Sequence, residues 1–146
     1  MKKFSELIVG ESFNSTCSIS FDELKEYLKF SKIKNIFLES KSDEKHQLVS
    51  GRAILSRMEG EFTRLDQIYG NQILFLGTDG DSKWGNRNTR FLKSVYTDQI
   101  LKFKFTILEK IDIDEEYGKI IINFEGSTLD NELVVISKKN IYRIKK

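Results

Sequence analysis

At 146 residues the chain has the length of one ordinary domain, long enough to bury a core without disulfides or structural metal. Its 24 basic and 22 acidic side chains are interspersed and leave a net charge of +2, unlike the concentrated basic stripe and higher pI normal for a nucleic-acid-binding domain. A hydrophobic content of 39% excludes intrinsic disorder, and a single cysteine, Cys17, excludes an intrachain disulfide and points to a reducing, cytoplasmic compartment.

No apolar run reaches the ~20 residues of a membrane-spanning helix, and the start, Met1 to Glu6, holds two lysines but no apolar segment of signal-peptide length. Pro is absent, and no linker, repeat or low-complexity segment divides residues 1–146, so a single domain is expected. Residues 4–19 open with Phe4, Leu7, Ile8 and Val9, turn at Gly10, and continue as a strand through Phe13 to Ile19. Ser20 then begins a helix, with Glu23 at the reciprocal capping-box spacing and an apolar stripe of Leu24, Tyr27 and Leu28. The pattern breaks around 31–37, and 39–45 reads as a polar loop.

A second, longer helix is expected from Leu48 to about Ile68, where Leu48, Ile54, Leu55, Met58, Phe62 and Leu65 recur at the helical period. Gly60 inside it suggests close packing against another backbone, because a helical Gly otherwise costs about 1 kcal/mol relative to Ala. Beyond Gly70 the texture is all-β. Ile73–Leu76 is an apolar run, and 78–89 is turn chemistry. Leu101, Phe103, Phe105 and Ile107 then alternate with wetter residues as in a strand with one buried face. Strands over Lys119–Phe124 and Leu133–Ile136 follow turns at Asp112–Gly118 and Leu129–Glu132, and the basic C-terminal stretch from Lys138 reads as a solvated edge strand and tail. Helices gathered on one face of an antiparallel sheet make this an α+β chain.

Particular residues add a resemblance. Phe4-Ser5-Glu6-Leu7-Ile8-Val9-Gly10-Glu11-Ser12-Phe13 is similar to the opening "F-x-[DE]-L-x-V-G-x-x-F" of the MaoC-like hydratase/dehydratase family. Ser20 to Tyr27 resembles its first helix, "T-x-x-D-[IL]-x-x-[FY]". Leu48-Val49-Ser50-Gly51 stands where the family starts its central helix with "[IV]-[AV]-H-G", and Phe91 to Leu101 resembles "F-x-x-P-V-x-x-G-D-x-[IL]". The resemblance implies a hot-dog fold, a long antiparallel sheet wrapped around one central helix, in a homodimer whose sheets join edge to edge, or paired with a paralogous hot-dog subunit. It also implies an acyl thioester ligand, with coenzyme A or acyl carrier protein belonging to the substrate and no separate cofactor, and an enoyl-CoA hydratase or 3-hydroxyacyl dehydratase reaction.

In that family an Asp and a His in "G-D-x-N-P-x-H" hold a water and move protons, while the amide at the head of the central helix faces the thioester carbonyl. Laid on this chain, the segment gives Ser31-Lys32-Ile33-Lys34-Asn35-Ile36-Phe37-Leu38. Ile33 takes the place of the Asp and Leu38 that of the His, and neither transfers a proton. Asn35, Ser50 and Gly51 remain as candidate substrate-binding positions. Asp43 and His46, the only histidine, form a substitute acid–base candidate, against the plainer reading of an exposed loop histidine. Gly51 could equally serve helix–sheet packing alone.

Asp79 to Gly85 has a faint likeness to a calcium loop, but Lys83 and Trp84 occupy positions that need a ligand and a sharp turn, and no His/Cys cluster supports a metal. Trp84, Asn86, Arg87, Asn88 and Arg90 could hold coenzyme phosphates or form a hairpin tip. Cys17, with no partner nearby in sequence, is expected to be a small, half-buried strand residue. Three roles stay open: a rearranged enzyme, a catalytically inactive binding or hetero-oligomer subunit, and a structural protein whose pocket is plugged by Phe37 and Leu38.

Overall fold

The computed structural model describes residues 1–36, 38, 46–80, 82–85 and 87–146. After a 3-10 turn at Phe4–Glu6 come β1 (Ser12–Cys17), α1 (Phe21–Ser31) and α2 (Gly51–Arg64). Then follow β2 (Ile73–Thr78), β3 (Thr89–Phe91), β4 (Leu101–Asp112), β5 (Tyr117–Thr128) and β6 (Leu133–Lys145). Among the described residues these strands form one antiparallel sheet in the order β1-β4-β5-β6-β2, with β3 also paired to β6.

The first helix begins as its spacing predicts. The Ser20 hydroxyl accepts from the Glu23 amide at 3.1 Å, and the Glu23 carboxylate accepts from the Ser20 amide at 3.0 Å, so two otherwise orphaned donors are satisfied reciprocally. The central helix is shorter than the expected 48–68. Leu48 forms an antiparallel bridge to Tyr96, and the Val49 amide donates to the Val95 carbonyl at 2.8 Å, which keeps this stretch extended. Ser50 caps the helix by accepting from the Ala53 amide at 3.2 Å, and Leu65 leaves it with extended torsions (φ −55°, ψ 139°). Leu65 and Ile68 stay buried in the turns beyond, which is why the apolar period runs past the helix.

The buried stripe of α2 is Ala53, Ile54, Met58 and Phe62. Phe62 is fully buried, and its ring centroid lies 5.6 Å from that of Phe105, 5.4 Å from Phe124 and 5.2 Å from Tyr142. One side chain thus seats the helix on β4, β5 and β6 together. Leu101, Phe103, Phe105 and Ile107 are all buried, as the alternation in that segment requires. Cys17 is half-buried at the end of β1.

The sheet bends along a line of irregular pairings that crosses four strands at one level. Register shifts fall between Ile107 and Glu109 in the β4–β5 pair, between Ile122 and Phe124 in β5–β6, and between Phe75 and Gly77 in β2–β6. An extra residue on one strand bends it and releases backbone groups from the ladder. Lys139 takes up the distortion with a left-handed φ of 55°. Asn140, buried beside it, donates to the carbonyls of Ile122 (3.3 Å) and Ser137 (3.1 Å), while Asn123 accepts from the Lys139 amide at 2.9 Å. The aligned shifts let the long strands curve around α2.

Two expectations are corrected. The C-terminal stretch is no edge strand, because β6 has β5 on one side and β2 and β3 on the other. Tyr142 and Ile144 within it belong to the core, and its lysines lie on the wet face. Gly60 does not pack against another backbone, since a Cβ built there meets nothing within 4 Å.

Helices and β1 are tied by Arg57. Its Nη1 donates to Glu23 on α1 at 2.8 Å and its Nε to Glu61 at 3.0 Å, while the Ser15 hydroxyl of β1 donates to Glu61 at 2.6 Å. Hydrogen bonds from Ser20 and the neighbouring Arg57 hold Glu23 below the ordinary carboxylate value of 4.5. For Glu61 burial pulls upward but is outweighed by Ser15 and Arg57, so its pKa is lowered too. A depressed folded pKa stabilises the protein above about pH 4.5, and that stability is lost as pH falls through the lower folded values.

Phe62→Ala is therefore expected to cost about 3–5 kcal/mol in urea unfolding. A loss under 1 kcal/mol would contradict its seating role. Arg57→Met is expected to cost about 1 kcal/mol at neutral pH, the exposed Glu23 arm adding little. It should also flatten the fall in stability between about pH 5 and pH 3, followed by urea midpoints across that range.

Candidate functional site

A cleft of about 900 Å³ runs beside the buried stripe of α2. Gly51, Arg52, Leu55, Ser56 and Glu59 form its helical wall at the spacing of one helix face. Opposite them stand Phe75, Gly77 and Thr78 of β2 with Thr89 and Phe91 of β3, and the floor is Phe124, Ser137, Asn140 and Tyr142. The floor is thus the bend line itself. Gly77 fits that place through a φ of 148°.

Most of these lining side chains carry a hydrogen-bonding group. Tyr142 donates its hydroxyl to Glu59 Oε1 at 2.9 Å, and burial together with the adjacent Glu59 pushes that hydroxyl well above its ordinary value of 10, so it remains a donor. Glu59 is the one carboxylate lining the cleft among the described residues. Ser56 donates to the Tyr27 hydroxyl of α1 at 3.1 Å and closes one side. Thr89 donates to Ser137 at 3.2 Å, joining β3 to the buried polar floor.

Gly51 opens α2, and a Cβ there would lie 2.7 Å from the Phe91 ring. The Phe91 ring crosses the head of the helix against this glycine, so a larger residue there would have to displace the ring, and close packing accounts for Gly51. The Gly51 and Arg52 amides still belong to the first-turn donors that have no acceptor within the helix. Ser50 is buried and its hydroxyl is committed to the Ala53 cap.

Ile33, Asn35 and Leu38 lie elsewhere. With Phe21, Leu24 and Leu28 they line a smaller hollow of about 300 Å³ between α1 and the chain that follows it, and this hollow shares no residue with the cleft. The Leu38 carbonyl accepts from the Gln47 side chain at 2.6 Å. The walls that Ile33 and Leu38 present are apolar and transfer no proton. Asp43 and Phe37 lie outside the described residues. His46 has Nδ1 3.9 Å from a carboxylate oxygen of Asp98, a residue the sequence reading did not connect to it.

Around the β2–β3 connection the Trp84 ring carries Lys138 Nζ at 3.9 Å and Arg90 at 5.1 Å from its centroid. Arg87 donates to the Trp84 carbonyl at 2.8 Å, and Asn88 reaches the cleft. Asn86 is outside the described residues. Burial pushes the Cys17 thiol up to about 11, which leaves it a poor nucleophile at neutral pH.

Sequence reasoning missed Glu59, Tyr142 and Asn140 as a group. Glu59 sits three residues before Phe62, one turn from the seat of the helix, and the alternation of Tyr142 with Arg143 and Ile144 marked it as inward-facing. No local signal joined the two across 83 residues.

No family model and no curated protein matches the chain. Solved structures do. An X-ray structure of a monoamine oxidase regulatory protein from Archaeoglobus is 17% identical, with a TM-score of 0.75 over 99% of this chain and 94% of that one. An unliganded R-hydratase from Pseudomonas aeruginosa is 18% identical, with a TM-score of 0.69 over 95% and 83%. A MaoC-like dehydratase from Rhodospirillum rubrum is 12% identical, with a TM-score of 0.65 over 97% and 96%. At such identities the likeness is one of architecture, and together with the sheet wrapped on α2 it gives the chain the hot-dog fold, in the form carried by MaoC-like dehydratases and R-hydratases.

Proposed function

We propose that residues 1–146 form one cytoplasmic domain that binds an acyl group carried as a thioester on coenzyme A or acyl carrier protein. The acyl group lies in the cleft along α2, with its carbonyl at the first-turn amides. The observation that carries this reading is the open cleft of about 900 Å³ beginning at Gly51, a volume suited to a small-molecule ligand and hard to reconcile with a plugged, purely structural role. Helix-head amides favour the partial negative charge of a carbonyl oxygen.

Hydration or dehydration through the positions of Ile33 and Leu38 does not follow, because two aliphatic side chains in a separate hollow supply neither acid nor base. The protein is therefore read as a binding member of its fold. Divergent hydratase chemistry is the second reading, favoured by the nearness of His46 to Asp98.

A homodimer joined through β2 completes the proposal. That strand ends the sheet, and Leu74, Phe75 and Leu76 on it are all more than 40% exposed, an apolar edge that proteins ordinarily cover. A paralogous hot-dog subunit would meet the same edge.

Acyl-CoA in hundredfold excess over its Kd should stabilise the fold by about 2.7 kcal/mol, raising Tm by roughly 5–10 °C. Gly51→Leu, checked for folding by circular dichroism, should abolish the rise while enoyl-CoA turnover stays absent from the parent protein. If neither acyl-CoA nor acylated carrier protein moves Tm, the binding reading fails. Hydration of enoyl-CoA that is lost in His46→Ala would favour the second reading.

Sedimentation equilibrium should report a dimer that the double variant Leu74→Lys, Leu76→Lys converts to monomer. A parent monomer at micromolar concentration would remove the dimer.

A further inference from the structure

We infer that Glu59 makes the cleft selective for an acyl group carrying a hydrogen-bond donor, a hydroxyl or an amine, several bonds beyond its thioester. This rests on the acyl-thioester reading and names the substrate class within it. Glu59 follows Gly51 by eight residues on the same wall of the cleft. At 1.5 Å per residue the two are about 12 Å apart along the helix axis. Helical side chains lean towards the N-terminus, which brings the carboxylate closer to Gly51 than that. An extended chain advances roughly 1.2 Å per bond, so an acyl group held at Gly51 meets Glu59 about six to ten bonds out.

What waits there is an acceptor with capacity to spare. A carboxylate offers about four lone-pair sites, and Tyr142 is the hydrogen-bond partner of Glu59 among the described residues, filling one site on Oε1. Tyr142 also fixes the carboxylate, since its hydroxyl keeps its proton and its ring is packed against Phe62 and Phe75. Two polar groups of the floor are committed: the Asn140 amide bonds the bend-line carbonyls, and Ser137 bonds Thr89 and Asn140.

A plain alkyl chain laid over Glu59 would strip water from the carboxylate and return nothing. A hydroxyl or ammonium at that level replaces the lost water with a charge-assisted bond. Phe75, Phe91 and Leu55 line the cleft as well, and they supply the apolar surface for the methylenes in between.

The test measures affinity for three thioesters of equal chain length by isothermal titration: octanoyl-CoA, 8-hydroxyoctanoyl-CoA and 8-aminooctanoyl-CoA. The parent protein should bind the hydroxyl and amino ligands at least about tenfold more tightly than octanoyl-CoA. Glu59→Leu should reverse that order, and Glu59→Gln should keep a preference for the hydroxyl while losing most of that for the amine. Tyr142→Phe should weaken the preference without inverting it. Octanoyl-CoA binding as tightly as the other two in the parent, or an order unchanged in Glu59→Leu and Glu59→Gln, overturns the inference and leaves acyl-thioester binding intact. Failure of all three acyl groups to bind, on coenzyme A and on acyl carrier protein alike, overturns both.

Discussion

The structure depends on a sheet that is allowed to bend. Strands of twelve and thirteen residues would leave α2 covered on one side only if they stayed straight. Register shifts aligned across β4, β5, β6 and β2 provide the bend, and each one frees backbone groups that must find partners inside the protein. Asn140 is the side chain that meets this need. Its amide reaches two carbonyls at the break, from a position with little access to water. A buried polar residue, read alone as a flaw in a hydrophobic strand, is what permits the curvature.

The cleft follows from the same geometry. Where the sheet bends, the floor formed by Ser137 and Asn140 lies between the helical wall and the end of β2. Phe62 holds the helix on one side of this line through its contacts with three strands, so the second stripe of α2 is left to face open space. Curvature, helix seating and cavity are one arrangement. Gly51 belongs to it too, because the Phe91 ring lies across the head of the helix where any Cβ would have to push it aside.

The polar groups of the cleft lie apart from the segment to which the family resemblance points. Ile33 and Leu38 line an apolar hollow near α1, whereas the polar groups gather along α2 and β6. A fold of this kind specifies a helix, a curved sheet and a gap between them. Which side chains fill the gap is a separate matter, and among the described residues Glu59 is the one carboxylate that lines the cleft here.

Local patterns were legible wherever one short stretch contains the whole physical cause. The Ser20–Glu23 capping box, the turn at Gly10 and the period-2 burial of Leu101 to Ile107 are of this kind. The helix bounds at Gly51 and Leu65 were less legible, because Leu48 and Ile68 keep the apolar period while their backbones are held by partners distant in sequence or by turns. The interior place of β6 could not be read from its lysines. A strand with neighbours on both edges can still turn one face to water, and charge reports only the face. Gly60 shows the opposite limit, a residue with an expected reason that the packing does not supply.

By itself, then, the sequence determined the α+β class, the two helices and the buried stripe of Ile54, Met58 and Phe62. Only the tertiary structure decided that Glu59 meets Tyr142, that Phe91 packs beside Gly51 and that Asn140 holds the bend. Periodicity is written in neighbours three or four residues apart. A contact spanning tens of residues exists only once strand register and curvature have brought its two halves to the same place.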